Sequence, residues 1–148
     1  MKYQAYLFVH FIGEGENGEQ IYFSVSRDGL HWKDLNNGKP VIVSQVGEKG
    51  LRDPFILRNR LDGKFYIIAT DLCIHAGKGW GTAQYEGSRN LMVMSSENLT
   101  DWSSPEAVEL AIPQAGCLWA PEAVYDEKTG DYLTYWASMV KCEGEDVA

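Results

Sequence analysis

Asp53 in "LRDPFILRN" and Glu122 in "LWAPEAVYD" each stand beside a proline. An acid next to a rigid Pro either caps the entrance of a strand or is held out to move protons. Arg52, just before Asp53, pairs with that carboxylate or with a ligand. Trp119, two residues before Pro121, is a platform for a ligand ring or a core residue.

The two stretches belong to a repeat. "RDPFILRNRLDGKFYIIAT" (52–70) and "WAPEAVYDEKTGDYLTYWAS" (119–138) share one layout: acid beside Pro, apolar stretch, Gly-containing turn, aromatic strand. Pro54 and Pro121 are 121 − 54 = 67 positions apart, and Gly63 and Gly130 are 130 − 63 = 67 apart. "SRDGLHW" (26–32) and "SENLTDW" (96–102) form a second pair, offset by 96 − 26 = 70. Looking for such periods comes first, because a period near 70 names the structural unit.

Each unit reads as strands. "PFILR", "KFYIIAT", "NLMVMSS" and "AVELAI" are short, rich in β-branched and aromatic residues, and bounded by Gly, Asp, Asn and Ser. "LDGK" and "KTGD" have hairpin-turn chemistry, with Gly supplying a positive φ. The expected class is all-β, and a repeated four-stranded antiparallel unit is the pattern of a β-propeller blade. With strands A to D counted outward from the axis, A carries Asp53-Pro54 or Pro121-Glu122. B ends at Thr70 or Ser138, C contains Ser96, and D follows Trp102. Residues 3–12, 21–26 and 40–44 read as strands B, C and D of an earlier blade. The chain thus holds about two blades, where a closed ring needs roughly four to eight. A further strand C is due at "KCEGEDVA". Residues 1–148 are expected to be the N-terminal part of one propeller domain, with open strand edges that favour self-association.

Composition narrows the partners. The 148 residues are 45% hydrophobic and 12% aromatic, a globular composition. A formal net charge of −8 disfavours nucleic acid and anionic membranes and suits a neutral ligand. Cys73, Cys117 and Cys142 match neither a disulfide framework nor a zinc site, and read as free thiols. "MKYQAYLFVHFIG" lacks a signal-peptide cleavage site and reads as a strand, which slightly favours the cytoplasm. No apolar run is long enough to span a bilayer.

"RDPFI", "GKFYIIATD", "SSENLTDW" and "WAPEAVYD…GDYLTYWAS" resemble, in order and spacing, the blade motifs of glycoside hydrolase family 43. These are five-bladed propeller enzymes acting on arabinose- and xylose-containing polysaccharides. The likeness covers essentially the whole chain, as the N-terminal half of such an enzyme. It looks most similar to the α-L-arabinofuranosidases, with β-xylosidase as the alternative within the family. A sugar-binding or structural propeller piece with inert carboxylates is the alternative outside catalysis. The resemblance implies that Asp53 is the general base of an inverting mechanism. It implies that Glu122, where many members have Asp, tunes the general acid and orients the sugar. It implies a Glu acid in a later blade, for which no position here matches. No cofactor is expected, and no residue cluster points to a metal.

A propeller suits this chemistry. Hydrolysis passes through an oxocarbenium-like transition state, with one group protonating the leaving oxygen and another activating water on the opposite face. Asp53 and Glu122, read as equivalent positions of consecutive units, should face one axial pocket. The end of strand B returns to the same face, which places Thr70, Asp71 and Ser138 in a second ring. The segment 71–90 has 90 − 71 + 1 = 20 residues and reads as a long loop without structure of its own. Its Trp80, Tyr85 and His75 are candidates for a wall against a sugar ring. Arg52, Asp71, Trp80, Trp119 and Ser138 are therefore the candidate substrate contacts. Asp28 and Trp32 read as structural: an Asp that closes a turn and a Trp that packs between sheets. His75 has no ligand cluster around it, and the "NLT" at 98–100 reads as an incidental glycosylation pattern.

Overall fold

The computed structural model describes residues 4–140. Its strands are β1 (Tyr6–His10), β2 (Tyr22–Ser26), β3 (Lys33–Asp34), β4 (Arg52–Arg58), β5 (Phe65–Thr70), β6 (Asn90–Ser96), β7 (Glu106–Glu109), β8 (Trp119–Asp126) and β9 (Asp131–Ala137). They form three antiparallel sheets in the orders β1-β2-β3, β4-β5-β6-β7 and β8-β9. The fold is all-β, and the sheets are successive propeller blades of three, four and two described strands. Met1 to Tyr3 and the expected strand at "KCEGEDVA", with Cys142, lie outside the described residues.

Strand alternation builds the two seams between blades. Successive residues of a strand face opposite sides of the sheet. In the second blade, Ile67, Ala69, Met92 and Met94 face the first blade and join Val9, Ile21, Phe23, Ile42 and Leu51 in one buried cluster. Ile68 and Leu91 face the other way and pack with Ala111, Ala115 and Leu118, with Ala123 and Trp136 of the third blade at the edge. The central sheet is thus apolar on both faces, as a sheet must be when covered on both sides. The β4–β5 and β8–β9 hairpins turn at Gly63 and Gly130, with φ of 76° and 77°, a conformation Gly adopts at little cost.

Three expectations about the elements needed correction. Strand D of the first blade is Lys33–Asp34, paired to Val25 and Ser24, and not 40–44. The Ser26–Trp32 turn folds the chain straight back onto β2, so the next residues take the edge; Ile42 instead buries in the seam and makes only an isolated bridge to Ile21. Strand β9 ends at Ala137, one residue before Ser138. The segment 71–90 contains a short helix, α1 (Trp80–Tyr85), whose Ala83 is buried.

The two Ser-turn-Trp motifs are built alike. Asp28 Oδ1 accepts the N–H groups of Leu30 and His31. Asn98 Oδ1 likewise accepts those of Thr100 and Asp101, so the Asn of "NLT" is occupied in closing its turn. Trp102 packs edge-on to Phe23 at 5.9 Å, in the seam between first and second blades. Trp32 does not pack between sheets: it is 44% exposed and lies on Phe8. It sits on the face of the first blade that no other described blade covers.

Candidate active site

The site is built on a backbone irregularity. Arg52 pairs with Thr70 and Phe55 with Ile68, so Asp53 and Pro54 oppose one residue of β5. This is a β-bulge, which re-aims a side chain out of the pleat. Asp53 sits at φ 47°. The following Pro disfavours the right-handed helical region for it, and Asp tolerates the left-handed one better than most residues. Asp53 Oδ2 accepts the Thr70 hydroxyl at 3.2 Å. Thr70 is fully buried, and its Oγ1 accepts the Ala120 N–H of the third blade at 2.9 Å. Among the described residues Asp53 Oδ1 accepts no hydrogen bond. The carboxylate is therefore held by one oxygen and open at the other. It lines a cleft of about 230 Å³ with Pro54, Phe55, Ala120, Pro121 and Glu122.

Glu122 reaches that cleft from a different structural position. The offset of 67 pairs Asp53 with Ala120 and Phe55 with Glu122, and the backbone agrees. β8 carries its own bulge between Trp119 and Glu122, with Ala120 at φ 48°. Asp53 and Glu122 are thus not equivalent residues of consecutive blades, although they share one cleft. Glu122 is exposed, stands opposite Tyr135 in the β8–β9 register, and accepts its hydroxyl at 2.6 Å. That hydrogen bond, with desolvation and the Glu122 charge adding to it, raises the Tyr135 pKa and keeps the phenol a donor.

Beside the bulge stands an aromatic wall. Trp80 opens α1 and meets Trp119 edge-on, with ring centroids 6.0 Å apart and planes at 88°. The Arg52 guanidinium lies 4.9 Å from the Trp80 ring centroid and 4.8 Å from that of Phe11. Arg52 does not pair with Asp53. Its Nη1 donates to Glu19 Oε1 at 2.8 Å. Glu19, 1% exposed, also accepts the N–H groups of Ile74 and His75, each at 2.8 Å. Burial alone would raise the Glu19 pKa, but these two backbone donors and Arg52 outweigh it and hold the carboxyl below its usual range. Sequence reading missed Glu19, since nothing separates it from Glu14 and Glu16 in "GEGENGEQ".

Two candidates fall outside the site. Asp71 does not face the cleft: it is 2% exposed, and its carboxylate accepts Glu48 N–H at 2.7 Å and the Ser88 hydroxyl at 2.6 Å. It clasps two loops together. Ser138 lies beyond the strand end, where its hydroxyl donates to the Cys117 carbonyl at 2.6 Å. Of the expected second ring only Thr70 meets a site carboxylate, that of Asp53. His75 contributes its backbone N–H to Glu19. Among the described residues no group of three or more His, Cys, Asp or Glu is placed to hold a metal ion. No helix among them is long and apolar enough to cross a membrane.

A family model described as a probable glycosyl hydrolase domain, of the glycoside hydrolase 43-related type, matches residues 1–147. The chain belongs to glycoside hydrolase family 43. This family 43 chain is 32% identical over 143 residues to an α-L-arabinofuranosidase of Bifidobacterium longum subsp. longum, covering 92% of this chain and 13% of that protein. Its fold matches a family 43 β-1,3-galactosidase with a TM-score of 0.61 at 12% identity, over 94% of this chain and 28% of the other. It also matches a family 43 protein of Bacillus licheniformis with a TM-score of 0.57 at 20% identity, over 90% of this chain and 25% of the other. The family 43 chain thus spans about an eighth of the curated relative's length and about a quarter of each solved one.

Proposed function

We propose that this chain supplies the water-activating half of an inverting glycosidase acting on α-L-arabinofuranosyl linkages, as part of one propeller catalytic domain. The observation that carries the reading is the Asp53 carboxylate, held by Thr70 through one oxygen and open to the cleft through the other. In the reaction a water oxygen attacks the anomeric carbon while its proton passes to the free Asp53 oxygen. The glycosidic C–O bond breaks, and the leaving oxygen takes a proton from a carboxylic acid supplied outside these residues. Glu122, fixed by Tyr135 in the same cleft, orients the sugar and adjusts that acid. Trp80 and Trp119 present ring faces and edges beside the bulge, the surface a furanose ring stacks on. The choice of arabinofuranosyl over other linkages rests on the identity to the Bifidobacterium enzyme.

The test uses the full-length protein and nitrophenyl arabinofuranoside, with the xyloside for comparison. Asp53→Asn is expected to lower turnover by roughly 10²–10⁴-fold, the usual contribution of a general base. Wild-type turnover in that variant overturns the role of Asp53. Faster turnover of the xyloside than of the arabinofuranoside overturns the substrate assignment. The 148-residue chain alone is expected to show little or no turnover.

A further inference from the structure

Glu19 and Arg52 have no part in the reaction written above, yet their buried ion pair is bonded to a further stretch of chain beside the site. Glu19 belongs to the first blade's turn region, Arg52 to the start of β4, and Ile74 and His75 to the segment that leads to α1. One carboxylate therefore joins three separate stretches of chain. On its other side the Arg52 guanidinium is flanked by the Phe11 and Trp80 rings. A guanidinium over an indole face is attracted by the ring's negative quadrupole and gives the ring a preferred plane. Trp80 is 46% exposed at the first position of a six-residue helix, so the helix itself does little to hold the ring. Arg52 and the edge contact with Trp119 are what orient it.

We infer that the Glu19–Arg52 pair is a positioning device that sets Trp80 against Trp119 and so shapes the aromatic wall beside Asp53. Glu19 fixes the guanidinium from below and anchors the segment leading to α1, and Arg52 transmits that placement to the indole. Neither residue lines the Asp53 cleft. That the wall receives a sugar rests on the proposed glycosidase reading; the positioning itself does not.

The experiment reads the indole pair directly. Two edge-on indoles at this separation couple, and Trp80→Phe and Trp119→Phe, each compared with wild type, define the pair's contribution to the circular dichroism of the chain. Glu19→Gln is expected to reduce that contribution at least twofold while unfolding remains cooperative. The double variant Glu19→Gln/Arg52→Gln replaces a buried ion pair by two amides that hydrogen-bond each other, which avoids leaving a lone buried charge. It serves if the single variant does not fold, and it is expected to lose the pair signal to the same extent. Arg52→Lys keeps the charge without the planar stack and is expected not to restore the signal. A wild-type pair signal in Glu19→Gln, or in the double variant where the single one is unfolded, overturns the inference. Titration with an arabinofuranosyl-substituted xylo-oligosaccharide runs alongside. Wild-type binding that weakens about tenfold in the double variant extends the inference to the ligand. Failure of the wild type to bind counts against the glycosidase reading, while the circular dichroism still decides whether the pair positions Trp80.

Discussion

Asp53 and Ala120 occupy the same position in two consecutive blades, 120 − 53 = 67 residues apart, and both hold a left-handed backbone, at φ 47° and 48°. Each precedes a Pro and opens a bulge at the inner strand of its blade. Thr70 links them, donating to the carboxylate of one and accepting the N–H of the other. The repeat therefore supplies the same backbone device twice, and only one copy carries an acid.

The left-handed conformation strains an alanine by roughly 1–2 kcal/mol, whereas glycine adopts it freely. Glycine also loses more chain entropy on folding, by about 0.4–1 kcal/mol. Ala120→Gly is thus expected to stabilise the chain by about 0.5 kcal/mol, seen as a higher urea midpoint at unchanged slope. A clear drop in midpoint would show that the bulge holds no strain.

Thr70→Val keeps the shape of a fully buried side chain and removes its hydroxyl. The Ala120 N–H then has no partner, at a cost of about 1–2 kcal/mol. Asp53 also loses the contact that fixes it. Turnover of the full-length enzyme should fall on the order of ten- to a hundred-fold, the effect of a misplaced catalytic group. Thr70→Ser, which retains the hydroxyl, should recover most of both losses.

Gly47 sits at φ 61°, and a Cβ there would lie 2.3 Å from Asp71 Oδ2. Asp71 cannot swing aside without abandoning Glu48 and Ser88. Gly47→Ala should destabilise by roughly 2–3 kcal/mol, from the clash together with the left-handed backbone. In an Asp71→Ala background the same substitution should add only about 1 kcal/mol, the conformational share. Equal penalties in both backgrounds would rule out the clasp.

Glu19 predicts a pH dependence. Its folded pKa lies below the ordinary value of 4.5, so the folded state favours the ionised carboxylate. The stability it contributes is present above about pH 4.5 and is lost as pH falls through the lower, folded pKa. Wild type should thus lose more stability than Glu19→Gln between pH 5 and pH 3, measured by urea midpoints. Parallel losses would mean that the carboxylate is not held ionised by Arg52 and the two amides.

Much of this architecture was legible in the sequence, because it is local. Strand identity follows from β-branched and aromatic runs punctuated by Gly and Asp, and the turns at Gly63 and Gly130 follow from their chemistry. The period near 70 named the blade, and the Pro-flanked acids pointed to the cleft. Alternation could not say that Ile67 faces the first blade and Ile68 the third; that depends on which sheets lie on either side. The partners of buried charges were hidden for the same reason. Asp71 looks like a site residue until its carboxylate is seen turned to Glu48 and Ser88, and Glu19 looks like one loop acid among three until Arg52 is seen against it. The register was the subtler matter. Motif matching pairs one acid with the other across the repeat, yet the offset of 67 and the two bulges match Asp53 to Ala120 and Phe55 to Glu122. Sequence alone determined that this chain makes repeated antiparallel blades with carboxylates at their inner ends. Only the tertiary structure decided which carboxylate stands free, because desolvation and hydrogen bonding are set by neighbours distant in the chain.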